Sequence, residues 1–170
     1  MTPAGLTGAL CHFVFHGFMK MCSFLCVGSV MHQTEKNYVF ETDGMGKYMK
    51  VTFACFTLSA LGLMGVPGFS GFISKWHLTL AAADVGTPIA LIGICALLVS
   101  ALLTGIYMFG IVCRAYFPKD GFDTVAVSQY KDPGLQMKLP VVICAAATLL
   151  LGLFSSPLVA FFKDVAAGLY

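Results

Sequence analysis

The sequence predicts an all-α membrane protein of about four transmembrane helices, the second of them discontinuous near Pro67. Three observations lead there. Hydrophobic residues make up 58% of the chain, charged residues 11%, and the mean hydropathy is +0.86, well outside the soluble norm. The charges are clustered, which leaves nearly uncharged stretches at residues 6–31, 51–83, 88–113 and 139–162. Each is long enough to cross a hydrocarbon core of about 30 Å as a helix, which takes about 20 residues. Runs such as LIGICALLVSALLTGIYMFGIV are apolar all round and lack the period-two alternation of a membrane β-barrel. Residues 1–170 therefore read as a single membrane domain embedded in a lipid bilayer.

No Lys or Arg precedes Lys20, and the first apolar run is too long for a signal peptide, so this span is expected to stay in the mature protein. It holds CHFVFHGFMK, with His12, His16 and Lys20 at four-residue spacing. On a helix that spacing stacks the three on one face with about 6 Å of rise per step, a titratable stripe of about 12 Å reaching mid-span. A charged Lys near the bilayer centre costs about 2.5–3.5 kcal/mol even on the lenient scale, so it must face protein, water or an opposite charge. One such histidine alone is usually a packing residue. Three titratable groups in register point to proton uptake and release.

The second stretch, 51–83, would measure about 50 Å as one straight helix, which tilt alone does not absorb. Pro67 sits at its midpoint, removes a backbone donor and clashes with the preceding turn, while Gly65, Gly68 and Gly71 weaken helix on both sides. Two half-helices with an interruption over 65–71 are expected. Irregular backbone at that depth is tolerated only inside protein or beside a wet cavity, and broken helices of this kind mark ion sites. Lys75 follows the break by about two turns among Ser70, Ser74, Trp76 and His77, which favours a hydrated interior position over a lysine snorkelling to the interface. The G-x-x-G-x-x-G spacing is no dinucleotide fingerprint, because no strand precedes it.

The third span offers Ser100, Thr104 and Tyr107 and the fourth Thr148, all read as interhelical packing residues. Cys11, Cys22, Cys26, Cys55, Cys95, Cys113 and Cys144 all fall in apolar runs without metal-ligand spacing, so they read as small residues at helix contacts rather than a disulfide framework or metal site. No cofactor is expected: a haem needs a histidine from each of two helices, and the others are His32, at a span end, and His77.

Four spans put both termini on one side and the loops over 33–50 and 114–138 on the other. The loops carry Lys36, Lys47, Lys50, Arg114, Lys119, Lys131 and Lys138, whereas Lys163 alone lies on the terminal side. The positive-inside rule then places the loops inside and both termini outside. Glu35, Glu41, Asp43, Asp120, Asp123 and Asp132 intersperse the cations, which reads as solvated mixed-charge surface and excludes a nucleic-acid patch.

The stretches GALCHFVFHGFMKMCSFLCVGSVMH and DGMGKYMKVTFACFTLSALGLMGVPGFSGFISKW resemble the later half of the antiporter-like, proton-translocating subunits of respiratory complex I, Mrp-type sodium/proton antiporters and energy-converting membrane hydrogenases. The resemblance covers roughly residues 5–80 and rests on the His-His-Lys spacing followed by the PGFxGFxSK broken helix. It implies a partial antiporter-like fold and a line of protonatable groups along the membrane midplane. His12, His16 and Lys20 would form the central relay, and Lys75 would pass protons toward the outer exit. It also implies a membrane subunit of an oxidoreductase or antiporter complex with no redox chemistry of its own.

Family members are built from two inverted helical repeats, and this chain would supply only the last helices. The resemblance thus implies either a truncated or partial product, for which Met1 would be an internal methionine of a longer reading frame, or half of a split subunit, with another chain supplying the missing N-terminal helices. Two functions follow as expectations. The first is translocation of protons, with or without sodium, within a multi-subunit complex. The second is a non-conducting accessory or assembly subunit of the same kind of complex.

Overall fold

The computed structural model describes residues 2–118 and 124–169. Lys119, Asp120 and Asp123, assigned above to the charged loop, lie outside them.

Helix α1, Pro3–Thr34, is the hub of the fold. Thr2 caps it by accepting the Gly5 amide at 3.2 Å, and Pro3 starts it where a missing N–H costs nothing. Its buried face runs through Cys11, Phe15, Met19, Cys22 and Cys26, at spacings of three and four, and packs against α2, α3, α6 and α7. These partners are α2, Lys50–Met64; α3, Ser70–Val85; α6, Leu135–Leu153; and α7, Ser156–Gly168. Helix α4, Pro88–Tyr116, leans on α2 and α3 and turns a broad apolar face outward, while α5, Thr124–Ser128, is a single short turn. Among the described residues, α1, α4 and α6 are long and apolar enough to cross a membrane, and α2 is a shorter apolar helix. The all-α membrane architecture with a discontinuous second span is as the sequence predicts. The interruption, Gly65 to Phe69, is slightly tighter than expected, because Gly71 is already helical.

The stretch 139–162 is not one helix. Helix α6 stops at Leu153, the Phe154 amide donating to Leu150 O at 2.8 Å, and α7 restarts at Ser156. Pro157 explains the stop: it has no amide to donate, and its ring would clash with the carbonyl four residues back, at Leu153.

The loops are also less solvated than their charge suggests. Asp132 caps α2, its carboxylate accepting the amides of Val51 at 3.1 Å and Thr52 at 3.0 Å and the Thr52 hydroxyl at 2.9 Å. An acidic group at a helix N-terminus satisfies free amides and complements the dipole. Met45 and Met49 are buried against the end of α4, and Gly46 lies so close to Ala115 that a Cβ there would fall 2.9 Å from its carbonyl oxygen. Farther out, Glu41 accepts the Tyr38 amide at 3.0 Å, the Asn37 amide at 3.2 Å and Lys36 Nζ at 3.4 Å. These bonds, the Tyr38 amide foremost, hold its carboxyl below the usual carboxylate range.

Five cysteines, Cys11, Cys22, Cys26, Cys55 and Cys144, are buried at helix contacts as expected. Cys95 and Cys113 are instead exposed on α4.

Candidate functional site

The site is built on the break. Gly65 takes a φ of 92°, a region that L side chains enter only with strain. That lets the chain close α2 with a Schellman-type turn: the Val66 amide donates to Leu61 O at 3.1 Å and the Gly65 amide to Gly62 O at 3.0 Å. A helix leaves its last four carbonyls without intrahelical partners. The turn satisfies Leu61 and Gly62, leaving Leu63 and Met64. Lys75 covers both, its Nζ donating to Leu63 O at 2.7 Å and Met64 O at 3.2 Å. The lysine that the sequence singles out is thus folded back from α3 onto the negative end of the α2 dipole.

Close packing holds the break in place. Gly71, at the start of α3, abuts Gly62 so tightly that a Cβ would overlap the Gly62 carbonyl oxygen, and Gly152 on α6 leaves room for the backbone of Gly68 and Phe69. Of the expected break residues, Gly65 and Gly68 carry positive φ, Gly71 serves by its small size, and Pro67 lies in the non-helical turn.

His12, His16 and Lys20 lie on one face of α1, half-buried beside the fully buried stripe. The His12 and His16 rings are 5.2 Å apart. His12 Nδ1 pairs with Ser74 Oγ at 3.0 Å, and Ser74 lies directly before Lys75, so the stripe on α1 is joined to the second half-helix by one hydrogen bond. His12, His16 and Lys20 thus share a face of α1, and Lys75 stands next in sequence to the serine that His12 meets. Lys20 Nζ stands over the ring of the exposed Phe24, 5.9 Å from its centre. His12 and His16 line an open groove of about 790 Å³ that Leu78 of α3 closes at one edge.

Sequence reasoning missed the partners of three serines. Ser74 was noted only as a polar neighbour, although Ser70 and Ser74 repeat the four-residue spacing of the α1 stripe and both are wholly buried. Ser23 and Ser59 were passed over. Their hydroxyls meet at 2.6 Å, and Ser59 Oγ also lies 2.6 Å from Met19 O, pinning α2 to α1 one turn from Lys20. Among the described residues, no group of side chains suits a metal ion.

The family model described as NADH:quinone oxidoreductase/Mrp antiporter, TM, matches residues 1–104. NADH-quinone oxidoreductase subunit N of Desulforudis audaxviator (strain MP104C) is 30% identical over 166 residues, covering 91% of this chain and 32% of that protein. In the Mrp complex from Dietzia sp. DQ12-45-1b, a chain superposes with a TM-score of 0.84 at 25% identity, covering 100% of this chain and 39% of the other. A chain of the membrane-bound sulfane sulfur reductase, an archaeal respiratory membrane complex, superposes with a TM-score of 0.76 at 26% identity, covering 89% and 24%. The chain thus spans well under half the length of each of these relatives.

Proposed function

The chain belongs to the NADH:quinone oxidoreductase/Mrp antiporter transmembrane family, and from that premise we propose that it forms part of a subunit that moves protons across a membrane. It is an integral membrane protein, and in this reading the groove on α1 is covered by helices of another chain or of a longer subunit. Sodium is the other cation this reading admits. The driving redox or ion-gradient chemistry lies elsewhere in the complex, and this part contributes no redox group of its own. The charge asymmetry of the loops supports a start of α1 on the outer side.

The observation that carries the reading is the junction at Ser74. It ties the titratable stripe of α1 to the half-helix whose lysine sits on the open carbonyls of α2. Protons would pass by way of waters among Lys20, His16, His12 and Lys75. A protonated Lys75 makes two charge-assisted bonds to the end of α2, and loss of its proton weakens both, so its charge state is coupled to the geometry of the break.

The test is Lys20→Ala and Lys75→Ala in the assembled complex, with proton pumping measured at matched assembly levels. Strong loss in either supports the relay, and unchanged pumping in both ends it. A non-conducting accessory role is the second reading, and one observation favours it: the Lys75 cap is a bond a purely structural lysine would make. In that case the same substitutions lower assembly and leave transport per complex intact.

A further inference from the structure

Lys20 is a cation in mid-membrane that no anion of this chain reaches among the described residues. It lies near the middle of α1, about 25 Å from the start of the helix and about 21 Å from its end. Both distances exceed half of a hydrocarbon core of about 30 Å. A lysine so placed must meet protein, water or an opposite charge. Its Nζ stands over the Phe24 ring, and neither described ion pair includes it. Helices α1, α2, α4 and α6 contain no Asp or Glu. Asp84 of α3 lies one turn past Ala81, which stands beside Gly5, and Asp164 of α7 follows Lys163, which faces the first residues of α1 across a cleft. Both carboxylates thus belong to the end where α1 begins. Toward the other end, Asp132 is level with Thr52, about two turns from the Ser59 that bonds Met19 O, and its oxygens already serve the start of α2. Glu41 pairs with Lys36 and Asp43 with Arg114, both beyond the end of α1.

The face around Lys20 is shaped for a neighbour. Gly17, one turn back, would meet nothing within 4 Å if it carried a Cβ, which leaves room for a second backbone to approach closely. Phe13, Met21 and Phe24 stand exposed around it, and the groove of His12 and His16 runs up to Gly17 and Met21. The relatives extend well beyond the matched region, this chain covering 32% of one and 39% of another, so they hold helices from which such a cover can come. We propose that a transmembrane helix outside this chain lies over the α1 groove and presents a carboxylate to Lys20, forming an ion pair within the membrane. The proposal rests on the proton-moving reading above, and it names the partner that reading leaves open. Charge complementarity selects this occupant. His12, His16 and Lys20 offer only neutral or cationic groups, and a basic or wholly apolar helix would bury the ammonium unpaired. A single buried pair also fixes the register of one helix on another, here setting the covering helix against the titratable stripe.

The experiment is zero-length cross-linking of the assembled complex with dicyclohexylcarbodiimide, which enters the bilayer. The reagent activates a carboxyl group, the uncharged Lys20 amine attacks the activated carbon, and an amide bond forms as the reagent leaves as its urea with the carboxyl's second oxygen. Mass spectrometry of the digest is expected to find Lys20 joined to an Asp or Glu inside a transmembrane helix from outside this chain. The Lys36–Glu41 pair, 3.4 Å apart, serves as the internal control. In Lys20→Arg the link at this position is expected to vanish while the control link persists, because a guanidinium keeps the charge but forms no such amide. A Lys36–Glu41 link without any link from Lys20 overturns the pair, and so does a Lys20 link to a carboxylate outside the membrane helices. Transport in Lys20→Ala at matched assembly separates the two readings. A cross-link with unchanged transport leaves the pair standing and removes the relay. Lost transport without a cross-link leaves the relay standing and removes the pair.

Discussion

The fold interrupts two apolar runs, and the two interruptions differ in everything but their proline. At Gly65–Phe69 every closing carbonyl of α2 is accounted for, two by the turn and two by Lys75, and the backbone is held by the close approach of Gly71 to Gly62 of α2 and by α6 at Gly152. At Phe154–Ser155 one amide closes α6, the Phe154 ring is 69% exposed, and no lysine reaches the helix end among the described bonds. A break in a membrane helix is thus no site in itself. The first becomes one because a cation is held at the end of a dipole and a hydrogen bond links its helix to a titratable stripe.

The largest expected contrast lies in the cap. Lys75→Met leaves the Leu63 and Met64 carbonyls unpartnered and should cost roughly 2–4 kcal/mol, read as thermal unfolding of the purified protein in detergent. Lys163→Met, on the exposed side of α7, should change it by less than about 0.5 kcal/mol. Equal losses in the two would erase the distinction between the breaks.

Packing comes next. Gly152→Ala brings a Cβ within 2.7 Å of Phe69 Cα, so α6 must shift, at a cost of about 1–3 kcal/mol. Gly168→Ala, near the end of α7, meets nothing within 4 Å and should be close to neutral. A silent Gly152→Ala in the same unfolding assay would mean that α6 does not clamp the break.

The turn itself sharpens the contrast at a smaller scale. Gly65→Ala forces a side chain to a φ of 92° against Lys75 Cδ at 3.2 Å, which should cost roughly 1–2 kcal/mol. Phe154→Ala, at the other junction with a φ of −117°, loses only exposed surface. Comparable losses would show that neither junction depends on its backbone conformation.

The smallest effect lies outside both breaks. Because the folded pKa of Glu41 is depressed, its contribution is complete above the unfolded carboxylate value of about 4.3 and is lost as pH falls through the folded value. Hydrogen exchange at the Tyr38 and Asn37 amides should quicken in that acidic window while the amides of Gly65 and Val66 stay protected. Uniform loss of protection would place the loop and the break in one cooperative unit.

Much of this was legible in the sequence because membrane burial writes itself into composition. An uncharged run must be helical, since a bilayer offers no partners to free backbone groups. His12, His16 and Lys20 showed themselves as exceptions to that apolar rule at a helical period. The break at Pro67 was readable because the run overshot the bilayer, whereas the one at Phe154 was not, because 139–162 had an ordinary span length and Pro157 lies near its end. Asp132 read as loop charge, since nothing local says that it reaches α2, 80 residues away in sequence.

The sequence by itself determined the membrane class, the helical stripe and the place where the second span must fail, because each depends on period and length along one stretch of chain. The tertiary structure alone decided which groups meet: His12 with Ser74, Lys75 with the carbonyls of Leu63 and Met64, and Gly152 with the backbone of the turn. Those are distances between helices, set by how α3 folds back along α1 and how α6 packs across both, and no local pattern encodes them.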